Sequence, residues 1–170
     1  MRAEHVDAFI SSAFDILGGQ ARTRPERGSP SLRGGETLSS RELTVLVGLA
    51  GELHGTAFYS MSLATAWKLV ALLAGQHQSG TLNDENITEM AGKMAAAGLQ
   101  RLEDSGCRCE LEEARVVRGF GQFLTAEGPV LVVPLYTEYG DVDVGITLQP
   151  AAGQPLALAS DEPPSQGAVA

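Results

Sequence analysis

A chain of 170 residues with a formal charge of −9 and a pI near 4.7 has room for one domain with a proper core, and too little for two. The acidic balance argues against non-specific binding to nucleic acid or to an anionic membrane surface, both of which need basic patches. No apolar run approaches the roughly 20 residues that span a bilayer, and Glu4, His5 and Asp7 interrupt any apolar core a secretion signal would need, so a cytoplasmic protein is expected.

Val6, Phe9, Ile10, Ala13, Phe14 and Leu17 recur at helical spacing, and Gly18-Gly19 ends the pattern; a first amphipathic helix is predicted, with this stripe in the core. Residues 20–40 are rich in Gly, Pro, Ser and Arg. A short irregular strand near residues 21–27 and a loop are expected there. Arg22, Arg24, Arg27 and Arg33 have no aromatic residues between them, and so read as a solvated edge rather than a phosphate site. Leu43, Val45, Val47 and Leu49 alternate, and a second run over 55–61 follows across 51–54, which predicts an antiparallel hairpin. Gly48-Leu-Ala-Gly51 lacks the Gly-Lys-Ser/Thr ending and the following helix of a phosphate loop. Ser62 has the chemistry of an N-cap for a second helix, with Leu63, Ala66, Trp67, Val70 and Leu73 inward and Gly75 at its close. Trp67 is assigned to packing, in the core or at an interface. Residues 76–80 form a polar connector.

Thr81, with Asp84 three residues on, resembles a capping box that opens a third helix over 81–104. Its apolar positions Ile87, Met90, Ala91, Met94, Ala95, Gly98, Leu99 and Leu102 form one face. Glu89, Gly92, Lys93 and Ala96 fall on the opposite face. That surface offers one acid, one cation and a floor of small residues which a partner's backbone can approach closely. After Ser105-Gly106 the period switches to two, and strands are expected near 108–118, 130–138 and 141–148, the last pair joined by a tight turn at Tyr139-Gly140. Pro134 has no N–H for a ladder, so its strand lies at an edge or is bulged there.

Cys107 and Cys109 lie two apart and on a strand share a face with Leu111. His5, His54 and His77 are scattered and do not complete a zinc set, so the pair is read as buried free thiols. Residues 150–170 are Ala, Gly, Pro, Ser and acids without a period, and are expected to be a disordered tail after a single domain over 1–149. Helix, strand pair, two helices, then three strands without β-α-β alternation describe an α+β domain, with helices packed on one side of a mostly antiparallel sheet.

The run Glu89-Met-Ala-Gly-Lys-Met-Ala-Ala-Ala-Gly98, with Asp84-Glu85 before it, resembles the signature helix of the CheC/CheX/FliY chemotaxis phosphatases, which carries Glu-x-x-Asn followed by small residues. Arg115-Val-Val-Arg-Gly119, Pro129-Val-Leu-Val-Val-Pro-Leu135 and the hairpin containing Gly140 resemble the CheX branch. Val47-Gly-Leu-Ala-Gly51 followed by His54-Gly55-Thr56 is similar to the family's paired strands. The likeness covers roughly residues 1–149, with a single signature helix as in CheX.

The resemblance implies a partner: a phosphorylated CheY-like response regulator whose aspartyl phosphate is hydrolysed by an in-line water. An amide side chain orients that water, and the acid one turn earlier pairs with a lysine of the regulator, so catalysis is by positioning. No cofactor of the protein's own is implied, and any Mg2+ belongs to the regulator. Carried over, the acid is Glu89 and the amide position is Gly92, which has no side chain to orient anything. Asn86 gives Asn-x-x-Glu in reversed order, about 9 Å from position 92 along the helix. Glu85, Asn86, Lys93 and Ala96 complete the expected docking surface. Two readings stand: a phosphatase with another group in place of the amide, or a non-catalytic regulator-binding or adaptor module of the same fold. The resemblance also implies a homodimer joined through its sheets, and the alternating Val142, Val144, Ile146 and Leu148 suggest the last strand as the edge that pairs.

Overall fold

Three helices lie against one face of a seven-stranded antiparallel sheet in the computed structural model, which describes residues 2–33, 38–74, 82–119, 123–124 and 128–151. The helices are α1 (Ala3–Gly19), α2 (Leu63–Ala74) and α3 (Asp84–Asp104). The strands are β1 (Glu26–Arg27), β2 (Ser31–Arg33), β3 (Leu38–Ser39), β4 (Leu43–Gly51), β5 (Leu53–Met61), β6 (Cys109–Arg118), β7 (Phe123–Leu124), β8 (Val130–Thr137) and β9 (Gly140–Pro150). The sheet order is β1-β8-β9-β5-β4-β6, with β2 also on β8, while β3 and β7 form a separate two-stranded pair. This is the α+β architecture expected from the element order.

Alternation decides what each strand contributes. Val45, Val47 and Leu49 of β4, Ala57, Tyr59 and Met61 of β5, and Val142, Val144, Ile146 and Leu148 of β9 point to the helices and join one buried cluster. Phe9, Ile10, Ala13 and Leu17 of α1 and Ile87, Met90, Met94 and Leu102 of α3 close it from above. The predicted stripes of the first and third helices are therefore the core. Leu46, Phe58 and Val130 form a smaller cluster on the other sheet face. There the Phe58 ring covers Gly145, its cross-strand partner, where an added Cβ would lie 2.0 Å from the ring.

Several expectations are corrected. The last strand, β9, is not an edge: it pairs with β8 on one side and with β5 on the other. Among the described residues β6 pairs only with β4 and forms the long free edge. In α2, Leu63 and Trp67 do not face inward but are 39% and 48% exposed. The 21–27 strand shrinks to β1, and β2 and β3 follow it unannounced. Cys107 precedes β6, so only Cys109 is buried on that strand, and the turn before β9 lies at Glu138-Tyr139, with Gly140 opening the strand at φ +124°.

Pro134 behaves as a broken edge requires. It sits where the neighbour of β8 changes from β1 to β2, and its carbonyl accepts the Gly28 N–H at 2.7 Å. A strand residue's N–H and C=O point to the same side, so the missing donor falls on this interrupted flank and not in the β9 ladder. The sheet runs slightly past the expected boundary, because β9 includes Pro150 and the Ala151 N–H donates to the Glu52 carbonyl at 3.1 Å. Residues 75–81, with Gly75 and Thr81, and the rest of the predicted tail, 152–170, lie outside the described residues.

Candidate functional site

The first turn of α3 is held by side chains that a helix start needs. Asn83, not Thr81, is seen as its N-cap: its Oδ1 accepts the Asn86 N–H at 2.8 Å, satisfying a donor that has no partner inside the helix. Asp84 and Glu85 lie in the first turn, where negative charge complements the helix dipole. Arg118, the last residue of β6, forms an ion pair with Asp84, and Arg101 in the last turn pairs with Asp15 of α1. On its inner side α3 approaches α1 more closely than a side chain at 98 would permit. A Cβ on Gly98 would fall 2.4 Å from the Phe9 ring. The helix is thus tied at both ends and along its back, which leaves its outer face as a positioned platform.

On that face Glu85, Glu89 and Ala96 are exposed, whereas Asn86, Gly92 and Lys93 are half-buried. Gly92 has open space where a side chain would stand, with no heavy atom within 4 Å of an added Cβ. Asn86, Glu89 and Lys93 come together with Met90, Val70 and Leu73 around a depression between α2 and α3 of about 10 Å³. That volume holds at most about one water molecule. Glu85 and Ala96 lie outside it. Lys93 is partly committed within the chain: its Nζ donates to the Leu73 carbonyl at 3.4 Å, near the end of α2, where a cation suits the helix dipole. Nothing in the periodicity of either helix announced this tie, or the share of Val70 and Leu73 in the depression, because both depend on how two separate helices pack.

A larger concavity, about 480 Å³, lies on the sheet face away from the helices and includes Gly48, Gly55, His54, Glu112, Arg115 and Gln149 in its lining. It was not foreseen; Gly48 of β4 and Gly55 of β5, both in its lining, were its only trace in the sequence. Among the described residues no three His, Cys, Asp or Glu side chains are grouped to hold a metal ion. Cys107 and Cys109 are both free thiols. Burial, with the neighbouring Cys109, pushes the Cys107 thiol up to about 11, so it is a poor nucleophile near neutral pH. The outer face of α3, with a depression of only about 10 Å³ beside it, is too shallow to engulf a small substrate and is suited to docking a macromolecule.

Comparison with known proteins points the same way. No family model matches the sequence. A curated protein of Thermotoga maritima, described as the CheY-P phosphatase CheX, is 26% identical over 160 residues, covering 90% of this chain and 99% of its own length. The crystal structure of chemotaxis protein CheX from Desulfovibrio desulfuricans superposes with a TM-score of 0.74 at 19% identity, over 86% of this chain and 99% of that one. A chain of the CheX-CheY-BeF3-Mg2+ complex from Borrelia burgdorferi superposes with a TM-score of 0.65 at 21% identity, over 87% of this chain and 99% of that one. No helix among the described residues is long and apolar enough to cross a membrane. Along nine-tenths of its length the sequence is similar to CheX, and its helices and sheet have the fold of the CheC/CheX-like chemotaxis proteins.

Proposed function

We propose that this protein docks the phosphorylated receiver domain of a CheY-type response regulator on the outer face of α3, with Glu89 meeting the regulator's active-site lysine. The reading rests on one observation: Glu89 stands exposed one helical turn from the empty space above Gly92, on a helix tied at both ends. The Thermotoga relative's description as a CheY-P phosphatase supports the choice of partner, and so does the Borrelia CheX-CheY complex. Mg2+ in such a complex belongs to the regulator, and the chain needs no cofactor of its own. Hydrolysis of the aspartyl phosphate is limited by position 92, because no side chain there reaches toward the attacking water. The protein therefore acts first as a regulator-binding module.

A second reading has a specific observation in its favour. Asn86 and Glu89 line the same depression, so Asn86 is an amide already beside the acid. Decay of a phosphorylated CheY-type regulator, followed with and without this protein, separates the two. Binding with an unchanged decay rate fits the docking module, and acceleration abolished by Asn86→Ala fits the second reading. Neither binding nor acceleration refutes both, leaving an adaptor of the same fold.

We propose further that two copies associate through the free edge of β6, whose backbone groups are available to a second strand. Light scattering tests this; a monomeric mass across micromolar concentrations would overturn it.

A further inference from the structure

The docking surface does not stop at α3. Thr65 Oγ1 donates to the Tyr139 carbonyl at 2.8 Å, and Lys68 Nζ lies 5.2 Å from the centre of the Tyr139 ring. One flank of α2 is thereby turned to the β8–β9 turn. At 100° per residue, positions 63, 67 and 70 form a stripe on the other flank. Val70, at the end of that stripe, lines the depression it shares with Asn86 and Glu89. Leu63 and Trp67 carry the stripe onward from there, one turn apart, and both are large apolar side chains left substantially exposed, at 39% and 48%. Charged groups stand at its two ends: Glu42 accepts the Leu63 N–H at 3.0 Å, and Glu89 stands exposed on the depression, which Lys93 also lines.

We infer that the phosphorylated receiver domain rests on α2 as well as α3, with Trp67 as the anchor of the contact; this rests on the docking reading above. The continuity of the stripe with the depression beside Glu89 assigns both to one occupant. With Lys93 turned to the Leu73 carbonyl, the exposed Glu89 calls for a basic group on a partner surface that is apolar where it meets the stripe. Such a surface suits an indole, because tryptophan supplies a large rigid contact area and dominates many interfaces. Glu89 then orients the partner's phosphorylated end, and Trp67 holds it there.

Trp67 is the chain's single tryptophan, so the contact reports itself. Protein labelled with 5-fluorotryptophan is titrated with a CheY-type receiver domain held in its active state by Mg2+ and beryllofluoride, and affinity is measured separately by calorimetry. The expected result is a shifted fluorine resonance at saturation. Trp67→Ala should weaken binding at least tenfold, Trp67→Phe should recover most of it, and Tyr136→Ala, an exposed aromatic on β8, should change nothing. If the unaltered protein binds no activated receiver, the docking reading itself falls, and this inference with it. If it binds normally while the Trp67 resonance stays in place, or if Trp67→Ala binds as tightly, only this inference is overturned. A shift produced by raising the protein's own concentration, with no regulator present, would assign the stripe to a second copy of the chain and likewise overturn it.

Discussion

Replacing Gly92 with asparagine is the sharpest test of the α3 face. The change restores an acid and an amide one turn apart, separated by about 4.5 Å of rise. The structure supplies the cost: an added Cβ at position 92 meets no other part of the chain within 4 Å, so the side chain of an asparagine starts into open space. The helix itself gains, because glycine in a helix interior is disfavoured by up to ~1 kcal/mol relative to alanine, and asparagine is only partly as unfavourable. Gly92→Asn should therefore fold as well as the parent, or a few tenths of a kcal/mol better. Orienting one water for in-line attack is a positioning effect, and removing such a group commonly changes rates by one to a few orders of magnitude. In a phosphorylated-regulator decay assay the variant should accelerate dephosphorylation by roughly tenfold to a thousandfold over the parent protein. Glu89→Ala in the same background should abolish the gain, since the acid no longer holds the regulator in register. A Gly92→Asn protein that folds and binds the regulator, yet leaves its decay untouched, refutes the idea that this face is a phosphatase site lacking its amide.

Other consequences can be checked by thermal unfolding. Two glycines of the same helix should respond with opposite signs. Gly92→Ala should stabilise by up to ~1 kcal/mol, whereas Gly98→Ala drives a methyl to 2.4 Å from the Phe9 ring and should lower Tm by several degrees through overpacking; equal shifts would discredit the α1–α3 packing. The Tyr59 hydroxyl is buried with no hydrogen-bond partner among the described residues, and burial pushes its ionisation upward. Tyr59→Phe should therefore stabilise by about 1 kcal/mol, a Tm rise of roughly 2–4 °C, and a fall would mean that the hydroxyl is satisfied. Burial, then the charge of Arg2, holds His5 below its ordinary value of 6.5 despite the opposing Glu4. As pH falls through 6.5 the unfolded chain takes up a proton that the folded one resists, so stability full at pH 7.5 declines toward pH 5. His5→Gln should flatten that part of the Tm-against-pH curve, and an unaltered slope would assign the decline to other groups.

Much of the architecture was legible because it is written in short-range periodicity. The spacing of Phe9, Ala13 and Leu17, or of Ile87, Met90 and Met94, specifies a helix face from local geometry alone, and these residues are the core. The same periodicity set Glu89 and Gly92 on the outer face of α3, and the formal charge of −9 was fixed by composition. Edge and interior, by contrast, are not local properties. Val142 to Leu148 alternate as any half-buried strand does, and only the crossing of β8 and β5 to either side makes β9 an inner strand and leaves β6 as the free edge. Trp67 likewise sits on a helical pattern that permits burial, and the placement of α2 against α3 and the β8–β9 turn decides that its ring stays half outside. Lys93 looked free on its own helix and finds the Leu73 carbonyl only because another helix ends beside it. Periodicity determines which way a side chain points from its own element, while long-range pairing determines what stands there to meet it.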